Sequence, residues 1–357
     1  MKKKTFVCIL AVSYIIFIGT IALASIYIDP LFQYHQRLDG YSYPIVNEGY
    51  QNPGIVKTFS YNALVTGSSM MQNNRMEWYS KYISPDMETV KVTYAGATVY
   101  NIGMILKTAL EANDGLKNAY IGCDVYLWGR ERASYELPRY LYDQNRFNDV
   151  NYVLNKNLIF EYTMPVLFHT NGLSESTDMS DAYWWAMDDS VSALDVIEEY
   201  RSRISDMEDE RNNYTGYVQQ LQYNMEHVLF PLIKAYPETT FHFIFPPYHM
   251  MFWETMEIRN IKDIILTSEE YLLTALLGFD NVRIHYFSTD EEIIYDFENY
   301  LDSAHYKASI NEYMVMCIGK GDHLLQKEDI GITMEKLRQI TDEYNYKSVF
   351  AITGNIW

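Results

Sequence analysis

Two short clusters in this 357-residue chain carry residue types suited to acyl chemistry. The first is Thr66-Gly67-Ser68-Ser69-Met70, directly after the apolar run Ala63-Leu64-Val65-Thr66. A strand–Gly-x-Ser–helix turn lifts a hydroxyl to the mouth of a sheet. It also aims the first unpaired N–H groups of the helix at the same place. A plain helix cap has the same composition, because Gly and Ser are ordinary turn and N-cap residues. The second cluster is Asp302-Ser303-Ala304-His305, just before a helical pattern. An Asp and a His three residues apart at a loop-to-helix junction can point one way. The carboxylate then holds one ring nitrogen while the other faces a hydroxyl. Metal ligation or a surface loop would show the same spacing.

These clusters need elements to bring them together. Strand-like runs occur at 63–66, 90–94, 118–122, 240–245 and 281–286. The first is closed by Gly67, the second by Ala95-Gly96 and the fourth by Pro246-Pro247. Helical spacing of apolar residues covers 100–112, 217–235, 258–277, 307–318 and roughly 333–344. Short strands separated by helices imply a parallel sheet with helices on both faces. The Ser turn follows the first strand and the Asp-His pair the fifth, so both fall at the same sheet edge. The rhythm breaks once, over about ninety residues from 125 to 216. This stretch holds Tyr126-Leu127-Trp128, Tyr183-Trp184-Trp185 and an acidic run read as a solvated helix face. It reads as an insertion over the carboxyl ends of the strands, where open α/β sheets bind ligands.

The remaining candidates have plainer explanations beside them. Cys8, Cys123 and Cys317 offer neither a disulfide framework nor zinc-ligand spacing, so buried or free thiols are expected. His242 and His285 lie inside strands and read as packed, hydrogen-bonded residues. His249 follows the fourth strand and reads first as a turn residue without a role; a substrate contact flanking the cleft is the alternative. Trp128, Trp184, Trp185 and Trp253 read as core first and as sugar-stacking platforms second.

The chain order, Gly-x-Ser early and Asp-x-x-His late, resembles the SGNH/GDSL hydrolase superfamily over roughly residues 61–320. That resemblance implies a nucleophile at Ser69, a catalytic Asp302 and His305, and an oxyanion-hole N–H at Gly96 in Tyr94-Ala95-Gly96-Ala97. It also implies a flavodoxin-like, three-layer α/β/α fold with a five-stranded parallel sheet. Gly67-Ser68-Ser69 in place of Gly-Asp-Ser resembles membrane-anchored members of the envelope-polymer acylation type, DltD-like and alginate-acetylation-like. Gly122-Cys123-Asp124 departs from the family's Gly-x-Asn-Asp, with Asp124 where the Asn stands. An Asn amide donates to an oxyanion; an ionised Asp repels it. Asp124 therefore reads as a substrate contact. Asn73, one helical turn past Ser69, is the alternative third oxyanion donor, or simply a polar first-turn residue.

Lys2, Lys3 and Lys4 precede an uncharged run from Thr5 to Tyr27 that ends at Asp29-Pro30. Twenty-three such residues can cross a bilayer core of ~30 Å. The lysines place the amino terminus in the cytoplasm and the bulk of the chain outside. A signal peptide cleaved at Ala22-Leu23-Ala24 is the competing reading, disfavoured because the apolar run exceeds the usual ~7–15 residues. The expected organisation is an anchor at 1–28, an irregular lead-in at 29–60, the α/β domain at 61–326 and a helical tail at 327–357. The net charge of −19 argues against a nucleic-acid partner. Without the three lysines the remainder carries 25 basic against 47 acidic residues, which favours neutral over strongly anionic polymers. The expected function is an extracytoplasmic serine esterase or O-acyltransferase on an acylated surface glycan or glycopolymer. It needs no cofactor or metal and is fed, for transfer, by a membrane-bound acyltransferase. The alternative is a catalytically inactive glycan-binding or assembly subunit. A lipase of the α/β-hydrolase type is disfavoured by the lack of Gly-x-Ser-x-Gly.

Overall fold

A computed structural model of the chain describes residues 3–131, 137–168, 177–185 and 190–344. The amino-terminal run forms one helix, α1 (Lys3–Ile28), long and apolar enough to cross a membrane. Pro30 cannot supply the N–H that another turn would need. Asp29 closes the end instead, with φ of 44°. Its carboxylate accepts the N–H groups of Gln33, Tyr34 and His35 at 2.7–3.0 Å and the Tyr152 hydroxyl at 2.7 Å.

The lead-in is not wholly irregular. It contains α2 (Glu48–Thr58), capped by the Asn47 side chain on Tyr50 N–H at 3.1 Å. Pro53 and Gly54 inside it hide the helix from pattern reading, since both disfavour helix interiors. Packing on the helix Val99–Ala112 and complete burial of Gln51–Val56 stabilise it instead.

Five strands follow: β1 (Ala63–Thr66), β2 (Thr89–Lys91), β3 (Asn118–Gly122), β4 (Thr240–Phe245) and β5 (Val282–Tyr286). All pair in parallel in the order β2-β1-β3-β4-β5. Leu64 lies between Val90 and Ala119, and His242 between Tyr120 and Arg283. Helices on both faces make the three-layer α/β/α arrangement, which explains why β1 is buried along its whole length. The order reverses between β1 and β3, the switch point at which such sheets open a crevice.

Two helical runs differ from simple periodicity. Residues 217–235 are one continuous run, Tyr217–Asn224, Met225–Leu229 and Phe230–Ala235, whose middle widens to a π-helix. Pro231 lacks an N–H and crowds the carbonyl four residues back, and the wider turn relieves both problems. The expected helix at 258–277 is present as Lys262–Leu276, and a further helix, Met250–Ile258, precedes it. Asn260 separates them with a φ of 58°, which Asn tolerates better than most residues. In the tail, Ile330–Glu343 is helical and residues 345–357 lie outside the described residues. The stretch 125–216 holds short helices such as Val125–Trp128, Val150–Val153 and Ala193–Ile204.

The turn after β1 passes close to the end of β3. Gly67 has a φ of 145°, and a Cβ there would lie 3.1 Å from Gly122 N at the end of β3. Gly67→Ala is expected to lower stability by about 1–3 kcal/mol, the cost of a disallowed backbone conformation. Thermal unfolding of the detergent-solubilised protein would check it; an unchanged midpoint would contradict this account of the turn.

Candidate active site

The site is assembled from the carboxyl ends of the strands. After Gly67, Ser68 caps a single helical turn, α3 (Ser69–Gln72), its side chain accepting Met70 N–H at 3.2 Å. Ser69 is therefore the first residue of that turn. From the other end of the sheet, Asp302 Oδ1 accepts the N–H groups of Ala304 and His305, each at 2.8 Å. The loop so folded aims the imidazole back across the edge. Ser69 Oγ lies 2.9 Å from His305 Nε2, and His305 Nδ1 lies 2.7 Å from Asp302 Oδ2. A carboxylate can only accept, so Nδ1 carries the proton and Nε2 presents its lone pair to the hydroxyl. A hydroxyl, an imidazole and a carboxylate in this relay can move a proton off the oxygen as it attacks a carbonyl.

Burial alone would pull the His305 imidazole down. The hydrogen bond and charge of Asp302 outweigh it and hold the ring above its ordinary value of 6.5, with the Asp124 charge assisting. Burial pushes the Asp302 carboxyl up, yet the bond to His305 and the two N–H donors keep it below the ordinary carboxylate value. Each partner thus favours the charged form of the other.

The other expected site residues fall unevenly. Gly96 lies in a turn with φ of 62°, brought beside the Ser turn by the Tyr94 N–H to Gly67 carbonyl bond of 2.9 Å. Asn73 is buried, and its Oδ1 accepts the Trp185 N–H at 3.4 Å. Asp124 does reach the site. It lines a cavity of about 220 Å³ together with Ser69, Leu127, Phe252, Met256 and His305. The Tyr248 hydroxyl donates to Asp124 Oδ1, whereas Oδ2 is buried with no hydrogen-bond partner. Burial pushes this carboxyl above its ordinary range, against the opposing pull of the Ser68 and Tyr248 hydroxyls and the His305 charge. His249 does not contact the cavity. It is fully buried, caps Met250–Ile258 by accepting Met251 N–H at 3.0 Å, and packs on Phe297 and Tyr300. A ring engaged in this way is a structural cap, which corrects its reading as a substrate contact. Trp128 and Trp253 are core. Among the described residues, no three His, Cys, Asp or Glu side chains group to hold a metal ion.

Three further residues shape the site, and of these Glu48 and Lys91 were not singled out by their sequence context. Trp185, from the insertion, sets its ring edgewise against His305 at 5.0 Å and points its indole N–H at the Ser69 carbonyl, 3.4 Å away. Glu48, the first residue of α2, accepts the Ala95 N–H at 2.7 Å and also holds Gln72 at the end of α3. It braces the Gly96 turn against the Ser69 turn. Lys91, on β2, is fully buried and donates to three carbonyls: Gln72 at 2.6 Å, Asn74 at 2.9 Å and Ser180 at 2.7 Å. An ammonium has three donors, and here each has an acceptor. Burial pulls its pKa down to about 7, and only such complete pairing makes the charge tolerable. Lys91 thereby ties the segment after Ser69 to the insertion that carries Trp185. A lysine inside a strand gives no such signal from sequence, because its partners are backbone atoms of distant segments.

No family model and no curated protein matches the chain. A solved structure from Streptococcus pneumonia, proposed to be a platelet activating factor, is similar at 10% identity and a TM-score of 0.39. The similarity covers 77% of this chain and 89% of that one.

Two outcomes follow from this geometry. Ring-proton NMR is expected to place the His305 pKa above 6.5, and Asp302→Asn to lower it by removing the charge that favours imidazolium. A free-base imidazole is needed to accept a proton, so any turnover should fall as pH drops through that pKa, and the limb should move to lower pH in Asp302→Asn. Lys91→Met is expected to destabilise the protein by at least ~1–3 kcal/mol, the cost of leaving a buried acceptor unpaired. A melting point equal to the wild type would contradict the clamp.

Proposed function

We propose that the chain is a membrane-anchored serine esterase or O-acyltransferase that works outside the cytoplasm on acyl groups of a surface polysaccharide or glycopolymer. The observation that carries this reading is the unbroken contact from Ser69 Oγ through His305 to Asp302, at 2.9 and 2.7 Å. In this reading Ser69 attacks the acyl carbonyl while His305 Nε2 takes its proton. Asp302 holds the ring and balances the imidazolium. The N–H groups of Ser69 and Gly96 face the oxyanion, with Asn73 as a further donor. The leaving alcohol takes the proton from His305, and the acyl group stays on Ser69 as an ester. A sugar hydroxyl then receives it in transfer, or water in hydrolysis. The apolar wall of Leu127, Phe252 and Met256 suits the acyl chain. Trp185, 36% exposed above the imidazole, offers a ring on which a sugar can stack. The lysines ahead of α1 favour a cytoplasmic amino terminus.

Asp124 supports a second reading, a catalytically inactive glycan-binding or assembly subunit. An ionised carboxylate in the place of a donating amide repels an oxyanion. The intact contact from Ser69 through His305 to Asp302 keeps catalysis in first place.

A fluorophosphonate probe is expected to label the detergent-solubilised wild type, and p-nitrophenyl acetate to turn over. Both should vanish in Ser69→Ala and fall by at least ~10³-fold in His305→Ala, the scale seen when one member of a serine relay is removed. Asp124→Asn is expected to retain labelling. A wild type that is inert to probe and ester, yet binds glycan unchanged in Ser69→Ala, would decide for the second reading.

A further inference from the structure

Outside α1, the exposed large apolar side chains are not spread evenly. Phe147, Val150, Leu154, Phe160 and Phe168 are 97, 52, 38, 69 and 60% exposed, and all fall within 22 residues of the insertion. A hydrophobic group this dense on a soluble face costs solubility unless something covers it.

The same segment is docked on the membrane helix. Residues Val150–Val153 and Ile159–Thr163 pack against α1. The docking is locked by polar bonds: Tyr152 donates its hydroxyl to Asp29 and accepts the Leu31 N–H at 3.3 Å. Partial cover on α1 reaches back from Ile28 through Ala22 and Ile21 to Gly19 and Ile18. At 1.5 Å per residue, Ile18 lies ~15 Å before Ile28 along the helix. The run Thr5–Tyr27 is uncharged, so a span that uses it carries Ile18–Tyr27 into the outer half of the bilayer. Chain packed against those residues must then enter the lipid interface as well.

The charges agree. Residues 139–168 hold Arg139, Arg146 and Lys156 against Asp143, Asp149 and Glu161, a net of zero in a chain of −19. Within 147–168 Lys156 stands against Asp149 and Glu161, a net of −1, so this segment meets little repulsion at anionic headgroups.

We infer that residues 147–168 form a second membrane contact, an apolar foot resting in the outer lipid interface beside α1. The inference rests on α1 being a membrane span. A single helix leaves a domain free to tilt, whereas a helix with a foot fixes the height and orientation of the sheet edge, and so of the Ser69 cleft, above the bilayer.

The test uses the full chain in nanodiscs of phosphatidylethanolamine and phosphatidylglycerol. Cys8, Cys123 and Cys317 are replaced by Ala or Ser, and single spin-labelled cysteines are placed at Val12, Phe147, Phe160, Phe168 and Ile332. Circular dichroism checks that each variant folds. Oxygen and a nickel chelate then report lipid and water exposure. Val12, Phe160 and Phe168 are expected to favour oxygen at least several-fold over Ile332, with Phe147 between them. A lipid-exposed Val12 with the three phenylalanine positions all resembling Ile332 would overturn the foot and leave the anchor standing. A water-exposed Val12 would overturn both. The wild-type chain gives an independent check with a lipid bearing a diazirine in its acyl tail. Adducts are expected on peptides from 147–168 as well as α1, and none from 330–343. Adducts confined to α1 would also overturn the foot.

Discussion

Everything at the site depends on five strands running parallel. Parallel pairing sends every carboxyl end to one edge, and only this brings Ser69 within 2.9 Å of His305 across 236 residues of chain. The close approach of Gly67 to Gly122 sharpens the same edge: with no Cβ on either, the Ser turn sits directly over the end of β3. Four of the five strands then deliver a different group to that edge. β1 leads to the hydroxyl, β2 to the Gly96 turn, β3 to Asp124, and β5 to the loop that holds Asp302 and His305.

A second layer of interactions makes the site rigid, and most of it is buried and polar. Lys91 and Glu48 carry opposite charges and approach the Ser69 turn from different elements. Lys91 spends all three donors on carbonyls, and Glu48 accepts from Ala95 and Gln72. The Tyr306 hydroxyl adds a third tie, to the Met70 carbonyl at 3.0 Å. Buried polar groups are costly when unpaired and directional when paired, so a network of this kind admits few alternative geometries. It couples the lead-in, the sheet and the insertion to one turn of helix. That coupling is why Trp185, in a segment far from the Asp-His loop in sequence, meets the His305 ring.

Much of this was legible without coordinates. The five apolar runs, their punctuation by Gly and Pro, and the helices between them lead to the parallel sheet, because a strand buried on both faces reads as a continuous apolar run. The Ser69, Asp302 and His305 grouping was legible too, since topology alone sends both motifs to one edge. Other features were not. α2 is masked by Pro53 and Gly54, residues that weaken a helix locally but pack well in this one. Met250–Ile258 was not marked by periodicity, and the left-handed Asn260 that separates it from Lys262–Leu276 leaves no trace there either. His249 looks like a cleft residue by position, yet its ring turns inward to cap a helix, a choice made by its neighbours Phe297 and Tyr300.

The division between the two sources is physical. Local pattern by itself determined the membrane-length apolar helix, the βα rhythm and the order of the motifs, because these follow from periodicity and from chain reach over a few residues. Tertiary structure alone decided which polar atoms meet: the Nδ1–Asp302 and Nε2–Ser69 contacts, the three carbonyls around Lys91, the lone Oδ2 of Asp124, and the seating of Tyr152 on Asp29. Hydrogen bonds act over about 3 Å and depend on direction. Partners separated by a hundred residues or more are therefore fixed by packing, and no one-dimensional pattern records them.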